Sequence, residues 1–309
     1  MILWGFDLGG TKIECAVIQY TENAPVEILF RDRLPTEAHK GYTHILQQID
    51  ALVQMGKKAT GLSPLSIGIG TPGILDKTTL KIKNANVTCL NGQNIAKDLE
   101  VIWQIPVLHT NDANAFILAE TLVGAGQERA QIPRVSFGII IGTGVGGGWM
   151  LNGQLHEGPH GIAGEWGHTT VGASHTKCYC GKTGCLETFI SGGALEQFYA
   201  SLTGIKKTLP QIYEDFLTTK DMPAKITLDR LVLYLGKSIV QVINTIDPDM
   251  IIVGGGVSKM EYIYEQLPFV ILPQLFNHEL NTPILKHTLG ESAGVIGAAL
   301  LTKTEKSIK

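Results

Sequence analysis

The sequence feature that most constrains the fold is a short pattern that occurs twice: an apolar strand, a glycine turn and a second strand. The first copy runs over residues 2–19 around Gly9-Gly10-Thr11, and the second over residues 135–151 around the glycine-rich stretch 142–148. Two strands joined by a tight glycine turn predict a β-hairpin. The copies lie about 135 residues apart in a chain of 309 residues, which predicts two domains with one hairpin each.

The rest of the chain alternates between strand and helix patterns, which predicts an α/β fold. Further strands are predicted at residues 28–33, 65–70, 105–109 and 250–253, and helices at 39–54, 113–123 and 293–302, with 192–246 mostly helical. Ser258 followed by Glu261 has the form of a capping box, which predicts that a helix begins there.

Composition and charge exclude several classes of protein. Hydrophobic residues make up 44% of the chain, enough for a sizeable core, and the net charge of −3 comes without a basic cluster, which argues against a nucleic-acid partner. Asp7 interrupts the N-terminal apolar run, so a signal peptide is not expected. The uncharged stretch 135–151 holds six glycines and is interpreted as two buried strands rather than a membrane span. We therefore expect a soluble cytoplasmic protein with no membrane partner.

Three glycine loops follow apolar strands, at residues 9–10, 142–148 and 254–256. Without a Cβ, such loops let backbone N–H groups converge on an anion, and three of them together favour a phosphate-containing ligand. Gly142-x-Gly144-x-x-Gly147 matches the dinucleotide fingerprint, but a strand follows where that motif needs a helix, so a Rossmann dehydrogenase is rejected. A Walker A loop is absent too. Asp7 beside the first turn suits a metal-bound phosphate.

Three of the five cysteines, Cys178, Cys180 and Cys185, lie within eight residues. This is not the pattern of a secreted disulfide framework, and it predicts a reduced chain with one thiolate cluster. A structural zinc site needs a fourth ligand, usually a histidine. From the residues alone the candidates stay open: His156, His160, His168 and His175.

Two groups of polar residues are candidates for catalysis and ligand binding. Asp112 follows a predicted strand and either caps the next helix or serves as the general base that phosphoryl transfer requires. Glu165, His168 and Glu187 flank the cysteine cluster, where the two carboxylates are either solvated loop charges or acceptors for pairs of sugar hydroxyls.

Five motifs occur in one order along the chain, and together they resemble the ROK family of sugar kinases, repressors and related proteins. They are Asp7-Leu8-Gly9-Gly10-Thr11-Lys12, Asn111-Asp112-Ala113-Asn114, the run from Ile141 to Gly148, Gly164-Glu165-Trp166-Gly167-His168, and Cys178-x-Cys180-Gly181-x-x-Gly184-Cys185-Leu186-Glu187. The resemblance extends from Leu3 to about Leu301.

The resemblance implies an actin-like, ribonuclease-H-like ATPase fold. Its domains would be residues 1–121 plus 292–309 and residues 122–291, with ATP and sugar in the cleft between them, and the family suggests a homodimer. It selects His168 as the fourth zinc ligand beside the three cysteines, and Asp112 as the catalytic base. Residues implied to hold the sugar are Asn86, Asn111, Asp112, Glu165, His168 and Glu187. Those implied to hold ATP with Mg²⁺ are Asp7, Gly9, Gly10, Thr11, Lys12, Gly142, Thr143, Gly144, Gly146, Gly147, Gly254, Gly255 and Gly256.

Within the family, residues 83–92 and 178–192 look most like bacterial mannofructokinases, which phosphorylate the 6-hydroxyl of fructose. We therefore expect an ATP-dependent fructokinase. The alternatives are a glucokinase, an N-acetylglucosamine or N-acetylmannosamine kinase of the same family, or a non-catalytic sugar-binding protein. A repressor would need a DNA-binding module ahead of the first strand, and because that strand begins at residue 2 we do not expect a repressor.

Overall fold

A computed structural model describes residues 1–22, 24–127, 133–173 and 176–303. The chain forms two compact units. The first contains Met1–Ile132, Gly153–Ala163 and Thr288–Lys309, and the second contains Pro133–Asn152 and Gly164–His287. In this division residues 122–127, 153–163 and 288–291 lie in the first unit, whereas the division predicted from sequence assigns them to the second domain.

The described residues contain the following strands and helices. The strands are β1 (Ile2–Leu8), β2 (Lys12–Gln19), β3 (Glu27–Pro35), β4 (Ile67–Thr71), β5 (Ile74–Leu75), β6 (Ile82–Lys83), β7 (Val107–Asn111), β8 (Val135–Ile141), β9 (Val145–Leu151), β10 (Gln154–His156), β11 (Met250–Gly254) and β12 (Ile284–Lys286). The α-helices are α1 (Tyr42–Thr60), α2 (Ile95–Trp103), α3 (Asp112–Val123), α4 (Glu187–Ile190), α5 (Gly192–Thr203), α6 (Leu209–Thr219), α7 (Met222–Ile246), α8 (Glu261–Ile271) and α9 (Ala293–Leu301).

The first unit is built on a five-stranded sheet in the order β3–β2–β1–β4–β7. The pairs β1–β2 and β2–β3 are antiparallel, whereas β1–β4 and β4–β7 are parallel. Helix α9 packs against this sheet so closely that a Cβ on Gly5 would lie 2.3 Å from the Val295 carbonyl oxygen, and one on Gly68 would lie 1.7 Å from that of Ala298. Glycines in β1 and β4 therefore allow the helix to reach the sheet.

The second unit contains strands in the order β9–β8–β11–β12, with β8–β9 antiparallel and the other two pairs parallel. Each unit thus contains the hairpin that the repeated sequence pattern predicts, β1–β2 in the first and β8–β9 in the second, and parallel strands extend the sheet beside it. Phe137 of β8 stacks on Trp149 at a centroid distance of 4.1 Å and meets Trp166 edge-on at 5.3 Å. This aromatic cluster anchors the segment that carries His168 to the hairpin.

Two local predictions are wrong. The stretch 142–148 is predicted as a glycine loop, but only Gly142, Thr143 and Gly144 form the turn, and residues 145–148 are in β9. Ser258 does not cap a helix: its hydroxyl donates to the Gly255 carbonyl oxygen at 2.7 Å, and Met260 is the residue before α8.

The first predicted helix, at residues 39–54, is α1 with shifted ends. Residues 38–40 form a 3-10 turn, and Gly41, with a φ of 90°, separates that turn from α1. The helix then continues to Thr60 and stops at Gly61, whose φ is 71° and whose N–H bonds to the Lys57 carbonyl oxygen at 2.9 Å.

Within the ranges that the structure describes, no helix is both long enough and apolar enough to cross a membrane.

Candidate active site

In the first unit, the junction between β7 and α3 presents Asp112. The helix is capped by Asn111, whose side-chain oxygen accepts the Asn114 N–H at 2.7 Å. Asp112 is therefore not the helix cap that local sequence also allowed. It occupies the first helical position, exposed, and its Oδ1 accepts the Ala113 N–H at 2.8 Å.

The surroundings of Asp112 make its carboxylate more basic than that of an ordinary aspartate. Protein atoms crowd the carboxyl and restrict its hydration, although part of its surface stays exposed, and this raises its pKa above the ordinary range. The bond from the Ala113 N–H acts in the opposite direction. A carboxylate with a raised pKa is a better general base than an ordinary aspartate.

Asp7, at the end of β1, belongs to the same group of carboxylates. Burial raises its pKa to about 7, and the negative charges of Asp112 and Glu14 add to the effect. Gly294, in the first turn of α9, makes room for this carboxylate, since a Cβ there would lie 2.7 Å from Asp7 Oδ2. The cluster thus combines high negative charge density with little water, which is a suitable setting for a bound cation.

The turn after Asp7 closes through a bond from the Gly9 N–H to the Lys12 carbonyl oxygen at 2.9 Å, and Gly10 and Thr11 are exposed. The Lys12 ammonium lies 3.1 Å from Glu14 Oε2 and 3.4 Å from Glu291 Oε2. The lysine implied to contact phosphate is thus held by two carboxylates.

In the second unit, the turn of Gly142, Thr143 and Gly144 joins β8 to β9, as the turn at residues 9–11 joins β1 to β2 in the first unit. It is closed by a bond from the Gly142 N–H to the Gly144 carbonyl oxygen at 3.0 Å. The next N–H, that of Val145, donates to Glu187 Oε2 at 3.0 Å. A glutamate implied to bind sugar is therefore bonded to the glycine turn implied to bind phosphate.

The other glycines of this region serve close packing as well. Trp166 Nε1 donates to the Gly146 carbonyl oxygen at 2.9 Å, and a Cβ on Gly147 would lie 2.8 Å from the Trp166 ring. Gly147 is buried in β9. Packing against Trp166 is therefore the reason that Gly147 has no side chain.

The third glycine loop lies beside the same hairpin. Gly254 ends β11, and Gly255 has a φ of 78°, with a Cβ position only 2.3 Å from the Ile141 carbonyl oxygen. Gly256 follows and is exposed. The loop therefore borders the end of β8, where the turn at Gly142 begins.

The cysteine cluster and one histidine are brought together in the second unit. The ligand atoms of Cys178, Cys180, Cys185 and His168 all lie within 4.8 Å of one another. His168 sits on the 3-10 turn Trp166–His168, and its Nδ1 lies 3.4 Å from Cys178 Sγ. His175 lies outside the described residues, and His156 and His160 are in the first unit.

This donor set fits a thiophilic metal ion such as zinc. Three thiols and an imidazole nitrogen form a closed set of four, the number and type that structural zinc takes. Burial raises the pKa of the Cys178 thiol to about 12, so its deprotonation needs the positive charge of a cation.

Polar side chains surround the outer nitrogen of His168. Its Nε2 lies 2.9 Å from the Tyr179 hydroxyl and 3.9 Å from Glu165 Oε2. Glu187 Oε1 lies 3.9 Å from Cys178 Sγ. The second unit therefore brings Glu165, His168 and Glu187 around the cysteine cluster.

The implied sugar residues Asn86, Asn111 and Asp112 lie in the first unit. Asn86 is exposed between β6 and α2, and the cap leaves the amide nitrogen of Asn111 as a further donor.

Comparison with known proteins identifies the family. The model of the ROK family matches residues 3–305. The chain belongs to the ROK family. A curated relative, the N-acetyl-D-glucosamine kinase of Haemophilus influenzae, is 34% identical over 313 residues, which cover 98% of this chain and 99% of the relative.

Solved structures of the family have the same fold as this ROK chain. The ROK hexokinase of Thermus thermophilus superimposes with a TM-score of 0.87 at 29% identity, over 100% of both chains. The ROK family glucokinase of Streptomyces griseus, in complex with glucose and AMPPNP, has a TM-score of 0.80 at 27% identity, over 98% of this chain and 100% of that one. The two-unit α/β fold is the predicted actin-like ATPase fold.

Two features of the site carry no sequence signal. Tyr179 lies between Cys178 and Cys180, at the position that the cysteine motif leaves unspecified. The Val145 N–H belongs to the backbone, and its partner Glu187 is 42 positions away.

Proposed function

We propose that this ROK protein is an ATP-dependent hexose kinase that transfers the γ-phosphoryl group to the 6-hydroxyl of its sugar. The observation that carries the proposal is the setting of Asp112. It follows the end of a strand, Asn111 rather than Asp112 caps the next helix, and the pKa of Asp112 is raised. Phosphoryl transfer to an alcohol needs such a carboxylate.

In this proposal Asp112 accepts the proton of the attacking hydroxyl. The oxygen forms a bond to the γ-phosphorus, the bond to the β-phosphate oxygen breaks, and ADP leaves with the electron pair. The rest of catalysis is positioning and charge stabilisation.

The phosphates of ATP with Mg²⁺ are assigned to Asp7, the turn at residues 9–12 and the turn at Gly142, Thr143 and Gly144, and the nucleoside to the loop 254–256. Support comes from the exposed turns and from the crowded carboxylates at Asp7, which suit a cation. Two carboxylates face the Lys12 ammonium, which has three N–H donors and can therefore offer the third to phosphate.

The sugar hydroxyls are assigned to Glu165, His168 and Glu187, together with Asn111 and Asn86. Carboxylate oxygens, an imidazole N–H and amide groups supply both acceptors and donors for a polyol. A zinc ion on His168, Cys178, Cys180 and Cys185 would supply rigidity to this segment when bound.

We propose N-acetyl-D-glucosamine as the acceptor, in place of the fructose expected from the sequence. The proposal rests on the 34% identity with the Haemophilus influenzae enzyme of that name over nearly the whole length of both chains. Fructose stays the competing prediction, since residues 83–92 resemble mannofructokinases. The homodimer and the cytoplasmic location also stay predictions.

The test is an assay of ADP release with Mg²⁺·ATP against N-acetylglucosamine, N-acetylmannosamine, glucose, mannose and fructose. Fastest turnover on N-acetylglucosamine supports the proposed acceptor. Fastest turnover on fructose would support the fructokinase predicted from the sequence, with the same mechanism. Sugar binding without ADP release from any of the five would instead support a non-catalytic sugar-binding protein.

A further inference from the structure

Tyr179 lies between two of the cysteines, Cys178 and Cys180, yet its own contact is with His168. Its hydroxyl is 2.9 Å from His168 Nε2, and the two rings meet edge to face with centroids 5.0 Å apart and an interplanar angle of 90°. The tyrosine is nevertheless 71% exposed. An exposed aromatic ring is thus held in place at the outer nitrogen of the histidine.

The position of the imidazole proton follows from the other nitrogen. Nδ1 of His168 faces the thiols, 3.4 Å from Cys178 Sγ, and is the atom that a metal in this cluster would take. A neutral imidazole bound through one nitrogen carries its single proton on the other. Nε2 is then a donor, and the Tyr179 hydroxyl oxygen is its acceptor.

The same Nε2–H is the donor that a sugar hydroxyl needs. A single N–H makes one well-aligned hydrogen bond, because the bond weakens steeply away from a linear arrangement. A sugar oxygen and the phenol oxygen therefore compete for one proton. Since the ring is exposed, it can move away from His168 without opening the core.

We propose that Tyr179 is an autoinhibitory contact: its hydroxyl occupies the sugar position on His168 Nε2 and is displaced when a sugar binds. This inference rests on the proposed function, which assigns Nε2 to the sugar. Breaking the bond to the phenol costs the same free energy whichever sugar binds. The tyrosine therefore lowers the affinity of every sugar that accepts from Nε2 by one common factor.

The experiment measures sugar binding without nucleotide, by isothermal titration calorimetry with N-acetylglucosamine, glucose and fructose. Tyr179→Phe keeps the ring and removes the competing oxygen. Tyr262→Phe is the matched control, because it removes a hydroxyl that bonds Asp229 at 2.6 Å in the same unit and contacts none of the sugar residues named above. Metal content per chain is measured in all three proteins and is expected to be equal.

We expect Tyr179→Phe to bind each sugar about three- to tenfold more tightly, the value of one net hydrogen bond, with a similar factor for every sugar that accepts from Nε2. The control is expected to match the wild type. In wild-type protein labelled with ¹³C at tyrosine Cζ, the signal absent from Tyr179→Phe should shift on addition of sugar.

Unchanged or weaker binding in Tyr179→Phe, while the wild type binds sugar, would overturn this inference and leave the proposed function standing. A tyrosine signal that stays in place at saturating sugar would overturn it in the same way. Wild-type protein that holds its metal and binds none of the sugars would overturn the proposed function, and this inference with it.

Discussion

The carboxylate of Glu187 accepts the backbone N–H of Val145 at a distance of 3.0 Å. This bond ties the segment that follows the cysteine cluster to the residue that follows the turn of Gly142 and Gly144. The Gly192 N–H adds a second tie, to the Gly142 carbonyl oxygen at 2.8 Å. Within the second unit, the segment assigned to the sugar and the turn assigned to phosphate are one bonded assembly.

Gly144→Ala should break this assembly, because the new Cβ would lie 2.7 Å from Glu187 Oε2 and force the carboxylate off the Val145 N–H. Bonds to charged groups contribute about 1.5–3 kcal/mol, so we expect ATP and sugar affinity to fall together by roughly ten- to a hundredfold. Both are measured by titration calorimetry.

Gly193→Ala is the control, since its Cβ would meet nothing within 4 Å. It should bind both ligands like the wild type. Loss of sugar affinity alone in Gly144→Ala would mean that the bond between Glu187 and Val145 does not order the turn.

Asp112→Asn should lower kcat by about 10²- to 10⁴-fold while the dissociation constant of the sugar stays within a few-fold, because the amide keeps the shape and loses the basicity. Pre-steady-state and steady-state ADP release, together with sugar titration, separate the two effects. Since the pKa of Asp112 is raised, wild-type kcat should fall as the pH falls through that raised pKa.

Asp98→Asn, which retains an oxygen for the Tyr42 hydroxyl in the same unit, is the matched control and should keep normal kcat. Near-normal turnover in Asp112→Asn would show that Asp112 is not the general base.

Asp7→Asn should stabilise the ligand-free protein at neutral pH. Burial raises the pKa of Asp7 from 3.8 to about 7, so between these values the folded state binds more protons than the unfolded state and stability falls as pH rises. The gain from the substitution should therefore be small near pH 4 and grow to a maximum above pH 7, with about 4 kcal/mol as the upper bound. Unfolding in urea from pH 5 to 8 measures it.

Asp76→Asn is the control with the opposite expected effect on stability, because the Lys83 ammonium lowers the pKa of Asp76. Its carboxylate stabilises the fold at neutral pH, and the variant should gain nothing there. Equal pH dependence of wild type and Asp7→Asn would show that Asp7 is not the titrating group.

Chelation of the metal should abolish sugar binding before it affects ATP binding. His168 and Cys178 lie in the segments that carry Glu165 and Tyr179, so loss of the metal would let these side chains move together and weaken sugar binding first. Metal analysis and titration of both ligands are followed across a chelator series. Loss of ATP binding at lower chelator concentration than sugar binding would contradict a metal on the sugar side.

The alternation of strand and helix patterns was enough to predict an α/β fold, and the repeated pattern predicted the two hairpins, because both are local features. The actin-like ATPase fold was implied only by the resemblance to the ROK family. The predicted loop at residues 145–148 is strand because pairing with β8 and packing on Trp166 override the flexibility of glycine. Asn111, not Asp112, caps α3, a choice between neighbours that local sequence leaves open. The bond from Val145 to Glu187 joins positions far apart in the chain and only folding brings them together.

The most direct test of the account is to incubate the protein with Mg²⁺·ATP and N-acetylglucosamine and to identify the product by mass and by ³¹P NMR, with Asp112→Asn in parallel. The account predicts one sugar 6-phosphate formed per ADP released, and at least a hundredfold slower formation in the variant. ADP released at the same rate with and without sugar, or sugar phosphate formed equally fast by the variant, would contradict it.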